Sequence, residues 1–320
     1  MRTTWIFAVL AALPATAFAQ DFKSWVEAQG LETTETKAAG DFEVGLVRTK
    51  GTKELERVVV FTKGKPAWQS GPKDLPEDVK KIHIHAFGSD LDGDGGPELH
   101  FSTFSGGAHC CTTHYVYKVK PQVKRLAVYP ANNVGGGDFL EVPGRKTPIM
   151  VTADDSSATL FAPYANSYFP AMILEVSPKG RFQFAADLMR SKLPGQPPPV
   201  CAQPAAIANP WLKQRCDEYQ SARRNARIGE IKAKLAEIKQ GRSSQQLGWD
   251  DYYGTGVLAA VSAELNRYAY TGHSAAGLNW LEGIWPGNDA VKLKMLANLK
   301  QSWAKSAFAE DLKGLVSDYK

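Results

Sequence analysis

The sequence predicts an α+β protein, an N-terminal antiparallel β unit followed by a small helical C-terminal unit. Three observations carry this. Residues 41–188 show strand-type patterning, six prolines crowd residues 191–210, and beyond them the apolar residues recur in steps of three and four. These features divide the chain into a signal peptide (1–19), a β domain (20–190), a proline-rich linker (191–210) and a helical domain (211–320).

The first element is not a folded one. Arg2, the apolar run from Trp5 to Leu13 and the small-x-small triplet Ala17-Phe18-Ala19 before Gln20 have the layout of a cleaved export signal. The apolar run falls short of the about 20 residues that a membrane-spanning helix needs, and no later stretch is long and apolar enough to span a membrane. The expected location is therefore the periplasm or the exterior, with no transmembrane segment once the signal is removed. Its removal lowers the formal charge from +5 to +4. The basic residues are scattered, and the densest group, Arg223, Arg224 and Arg227, lies on a predicted helix as a solvated face. No nucleic-acid footprint is expected.

In the β unit, Glu56 to Thr62, the turn Lys63-Gly64-Lys65-Pro66 and Ala67 to Gln69 predict a hairpin. Ile82, Ile84 and Ala86 alternate with His83, His85 and Phe87, which gives a strand with one aliphatic face and one imidazole-bearing face. Further strands are expected over Leu99–Phe104, His114–Val119 and Leu126–Tyr129. The succession then recurs about 50 residues later, with Pro148 to Thr152 in the place of Pro97 to Phe101 and with Ala171–Val176 and Phe182–Ala186 as the later pair. That period matches propeller-blade-like β repeats. The helical unit follows: Ile228, Ile231, Leu235 and Ile238 mark one helix, Val257, Val261, Leu265 and Tyr268 a second, and residues 291–315 one or two more. Trp249, Tyr252, Tyr253, Tyr268, Tyr270, Trp280 and Trp285 enrich this unit in rings. Helix packing is their expected use, and a groove for a peptide or sugar is the alternative.

The most informative stretch is Asp90-Leu91-Asp92-Gly93-Asp94-Gly95-Gly96-Pro97-Glu98. Acids at positions 1, 3, 5 and 9, with a carbonyl near position 7, can surround a hard cation with oxygens. Four carboxylates in nine residues repel one another, so a cation is the physical means of ordering them. The stretch resembles the calcium loop of FG-GAP and VCBS repeats over about 30 residues. The resemblance implies a Ca²⁺ ion held between two strands by Asp90, Asp92, Asp94 and Glu98, with the Gly96 carbonyl at the fifth place. A helical EF-hand is disfavoured, because its twelfth position would be Phe101 and the flanks read as strands. The second copy has Glu141 to Lys146 in place of the acidic loop, so one calcium site is expected.

Five of the six histidines, His83, His85, His100, His109 and His114, fall within 32 residues. His83 and His85, with His109 and His114, are the candidate ligands for a second metal, Zn²⁺ or Cu²⁺. The alternative is that they are polar residues facing solvent or bonding across strands. No carboxylate outside the calcium loop stands out in sequence as a general base for them. Gly135-Gly136-Gly137 reads as a loop rather than a phosphate cradle, since no Lys-Ser/Thr follows it, and the chain has no Gly-x-Ser-x-Gly elbow.

Four cysteines in an exported chain predict disulfides. Cys110 with Cys111 and Cys201 with Cys216 is one pairing; the other alternative joins Cys110 and Cys111 to Cys201 and Cys216 and staples the helical unit to the β unit. Together these features predict a calcium-binding, non-catalytic binding or envelope-associated module with a protein or glycan partner. The competing class is a zinc- or copper-dependent hydrolase or redox enzyme built on the histidines.

Overall fold

The computed structural model describes residues 21–54, 56–107, 111–203, 208–239, 256–287 and 290–315. The predicted signal peptide therefore lies outside the described residues, as do His109, Cys110, Trp249, Tyr252 and Tyr253. The fold is mixed, as expected: among the described residues, twelve antiparallel strands form three four-stranded sheets, and a helical region follows. The chain divides into two compact units that meet at Ser70 and Gly71.

The first unit holds helix α1 (Phe22–Ala28) and strands β1 (Leu31–Ala39), β2 (Phe42–Thr49), β3 (Arg57–Thr62) and β4 (Lys65–Gln69). Asp21 caps α1 by accepting the Ser24 N–H at 2.8 Å. The four strands form a meander in sequence order, and β3–β4 is the predicted hairpin. Phe22 and Val26 of α1 pack with Val47, Val59 and Phe61. Gly45 lets this helix sit down, because a Cβ there would lie 2.5 Å from the Phe22 ring.

The second unit holds two more meanders. Strands β5 (Lys81–Ser89), β6 (Glu98–Phe104), β7 (Thr112–Lys118) and β8 (Lys124–Asn132) pair in that order, and β9 (Phe139–Leu140), β10 (Ile149–Ala153), β11 (Ala171–Ser177) and β12 (Arg181–Phe184) form the next sheet. Helices follow: α2 (Ala186–Met189), α3 (Pro210–Asp217), α4 (Ser221–Lys239), α5 (Val257–Tyr270), α6 (Ser274–Ile284), α7 (Ala290–Lys305) and α8 (Ala309–Leu315). Asn209 caps α3 at 3.0 Å from the Leu212 N–H, with Pro210 in the first turn. No described helix is long and apolar enough to cross a membrane.

One apolar core runs from Leu91 and Val116 through Ile149, Met150 and Leu174 to Val257, Val261, Leu265, Leu299 and Leu312. Helix α5 is its centre, with all four predicted marker residues buried. Two polar groups inside this core have matched partners. Asp154, at the end of β10, accepts from Tyr270 Oη at 2.6 Å, from Ser306 Oγ at 2.5 Å and from the Ser156 N–H at 2.8 Å, which ties the third sheet to the helices. Arg267 pairs with Glu218 and Glu264, each at 2.8 Å, and Arg224 with Glu264 at 2.9 Å. Tyr268 is buried, and Tyr270 and Trp285 are buried in the same core, in keeping with a packing use.

Cys201 and Cys216 are disulfide-bonded to each other, closing the segment that leads into α3. Cys111 is also in a disulfide. The alternative staple from Cys110 and Cys111 to Cys201 and Cys216 is therefore excluded, because both of its distal sulfurs are already used.

Candidate functional site

Both candidate sites stand on the sheet β5–β8. The first is the turn between β5 and β6. Gly93 and Gly95 adopt φ of +80° and +88°, which glycine reaches without strain. This lets the chain fold back so that backbone N–H groups meet carboxylates. Asp90 accepts from Gly93 at 2.7 Å and from Gly95 at 2.9 Å, Asp92 accepts from Asp94 at 3.0 Å, and Asp94 accepts from Gly96 at 2.7 Å. Leu91 is fully buried and anchors the turn in the core.

One oxygen each from Asp90, Asp92 and Glu98 lies within 4.8 Å of the others. Glu98 is 1% exposed; its Oε2 accepts the Leu91 N–H at 2.7 Å, while its buried Oε1 has no hydrogen-bond partner. Burial pushes the Glu98 carboxyl up to about 7, the Leu91 N–H opposes this, and the charges of Asp92, Asp94 and Asp90 add to it. Asp94 sits outside the convergent trio, 43% exposed and paired with Lys118. Lys118 Nζ also lies 2.8 Å from Asp92. Gly96 stands beside the trio, where a Cβ would come 3.6 Å from Glu98 Oε1.

The second site is the imidazole-bearing face of the same sheet. Antiparallel register sets Ser102 opposite both His83 and His114, and His100 opposite Ala86. An irregularity between Ile84 and Ala86 breaks strict alternation at His85. As a result, one nitrogen each from His85, His100 and His114 lies within 4.8 Å of the others. The rings are layered, with centroids 4.5 Å apart for His85 and His100 and 5.2 Å for His100 and His114. His100 Nε2 and His114 Nδ1 are 2.9 Å apart, and both rings are 0% exposed.

His85 is oriented from both ends. Its Nδ1 lies 2.8 Å from Asp138 Oδ1 and its Nε2 lies 2.8 Å from Ser102 Oγ. A carboxylate only accepts, so the Nδ1–H donates to Asp138; whenever the ring is neutral, its lone pair is at Nε2 and accepts from the Ser102 hydroxyl. Phe139 stands edge-on to His100 at 5.0 Å, and Gly136 lies against His114 so closely that a Cβ would fall 2.6 Å from Nε2. Burial, with His85 adding to it and Asp138 opposing, holds the His114 imidazole down at about 3, so it is neutral at pH 7.

The histidine set thus differs from the predicted one. His85 and His114 are in it, His100 joins them, and exposed His83 stands at the rim with its ring 4.6 Å from that of His85. His100 was visible in sequence only as one of a crowd; its place follows from register across β5, β6 and β7. Asp138 supplies the carboxylate that sequence did not single out, because it comes from a loop 53 residues away. Gly135 to Gly137 is indeed a loop, and its middle residue covers His114.

The chain Asp138–His85–Ser102 has the order of an acid, base and nucleophile. However, Ser102 is 8% exposed and sits mid-strand in β6, which is paired on both edges. Strand β6 is paired with β5 and β7 on either side of Ser102, so its backbone belongs to the two ladders. No protein-family model, curated protein or solved structure matches this chain.

Proposed function

We propose that this chain is an exported, non-catalytic calcium-binding module in which the 90–98 loop clamps one Ca²⁺ ion and thereby holds β5 to β6. The observation that carries the proposal is the buried Glu98 Oε1, without a hydrogen-bond partner and within reach of Asp90 and Asp92. A buried carboxylate oxygen costs free energy unless a donor or cation meets it. Lys118 brings one positive charge to four carboxylates; a divalent ion would offset two of the three charges that remain. The donors are all oxygen, which suits hard Ca²⁺ over softer metals. The resemblance of the loop to FG-GAP and VCBS repeats supports the same reading, and the four-stranded meander that carries it is consistent with a blade-like repeat. Export is supported by the signal-like residues 1–19 and by oxidised Cys111, Cys201 and Cys216. A rigid β scaffold with an ion-locked turn suits a module that presents surfaces to a protein or glycan partner.

Thermal unfolding of chelator-treated protein tests the calcium site. With an affinity of about 10⁻⁴ M, 10 mM Ca²⁺ adds roughly 2.7 kcal/mol and raises Tm by about 5–11 °C. Asp92→Ala abolishes that increment. A Tm indifferent to Ca²⁺ and chelator in the unsubstituted protein would overturn the assignment.

A further inference from the structure

We propose that His85, His100 and His114 form a second, chemically distinct metal site, for a borderline transition-metal cation of the zinc or copper class. It is independent of the calcium reading. The three rings come from three adjacent strands and present one nitrogen each within a 4.8 Å sphere of one another. Imidazole nitrogen is a preferred donor for Zn²⁺ and Cu²⁺ and a poor one for Ca²⁺. The two sites on this sheet are therefore sorted by donor atom, oxygen in the loop and nitrogen on the face.

The distances suit an ion. Two nitrogens each about 2.05 Å from a metal stand about 2.9 Å apart at a right angle and about 3.3 Å apart at the tetrahedral angle. His100 Nε2 and His114 Nδ1 are 2.9 Å apart. Two neutral imidazoles in that position share one proton; a metal uses both lone pairs. His85 is supported as metal-bound histidines usually are, with a carboxylate accepting its other ring N–H. That hydrogen bond leaves the Nε2 lone pair directed into the cluster, where the Ser102 hydroxyl now meets it. The layered rings must turn by modest side-chain rotations to converge, and His85 must exchange its Ser102 contact for the ion. Ser102 Oγ or a water is then placed to fill a fourth position.

The surroundings also favour a bound ion. Gly136 and Phe139 cover the cluster and keep it small. His83, exposed beside His85, lies at the rim and is not required.

The test uses the full chain, purified without a polyhistidine tag and stripped with chelator. Zn²⁺ is titrated against a chromophoric competitor, and Co²⁺ absorption reports coordination number. One tight equivalent is expected, with a tetrahedral Co²⁺ spectrum. His100→Gln should weaken Zn²⁺ binding by at least about 100-fold, and Asp138→Asn, an exposed position whose replacement spares the core, by about 10–100-fold. His83→Ala and Asp90→Asn should bind as the unsubstituted protein does. The proposal is overturned if stoichiometric Zn²⁺ binding is absent, if folded Asp138→Asn binds undiminished, or if His83→Ala removes the site.

Discussion

His100 Nε2 stands 2.9 Å from His114 Nδ1, with neither ring exposed to solvent. Burial disfavours the charged form of the His114 ring in this pair.

This fixes the direction of a pH effect in the metal-free protein. Unfolded His114 takes a proton near pH 6.5, but in the fold it does so only at about 3. The stability contributed by its neutral form is whole above pH 6.5 and is lost as pH falls toward 3, at up to roughly 1.4 kcal/mol per pH unit. Denaturant melts in chelator between pH 7 and pH 4.5 should show that loss. His114→Gln should give a shallower slope across the same window; an unchanged slope would show that His114 does not carry the effect.

The glycine loop over the cluster makes a contrast between neighbours. A Cβ on Gly136 would lie 2.6 Å from His114 Nε2 and 3.2 Å from Cε1, whereas one on Gly137 would meet nothing within 4 Å. Gly136→Ala should cost about 1–3 kcal/mol through overpacking, with Gly137→Ala close to neutral. Equal melting temperatures for the two variants would show that the loop does not press on the ring.

Proton and calcium compete for Glu98. Its carboxyl is raised to about 7 in the ion-free fold, so between pH 4.5 and 7 the native state holds a proton that the unfolded chain has released. Ion-free stability from this group therefore falls as pH rises through that window. At pH 5.5 calcium must displace the proton, which weakens its apparent affinity roughly thirtyfold relative to pH 8. The calcium-induced Tm shift should be larger at pH 8 than at pH 5.5, and Glu98→Gln should reduce it and remove most of the pH difference. A shift of equal size at both pH values would sink this coupling.

The sequence by itself determined what short-range chemistry encodes. Alternation at Ile82 and Ile84, the change of period after residue 210 and the acid spacing from Asp90 to Glu98 each act within one element, so the α+β class, the β3–β4 hairpin, the major helices and the acidic turn were legible. Strand β1 was not: LETTETKAA has no fully buried residue and owes its place to pairing with β2. Helix α1 is only seven residues long and is held by Phe22 and Val26 packing on β2 and β3. Tertiary structure alone decided which acids converge, since burial brings Asp90, Asp92 and Glu98 together while Asp94 turns to Lys118. It also decided which histidines meet. His100 joins His85 and His114 through the register of three strands, and Asp138 reaches His85 from a distant loop. A one-residue slip would send His100 to the opposite face, and that choice is made by how the whole sheet packs rather than by any residue near the site.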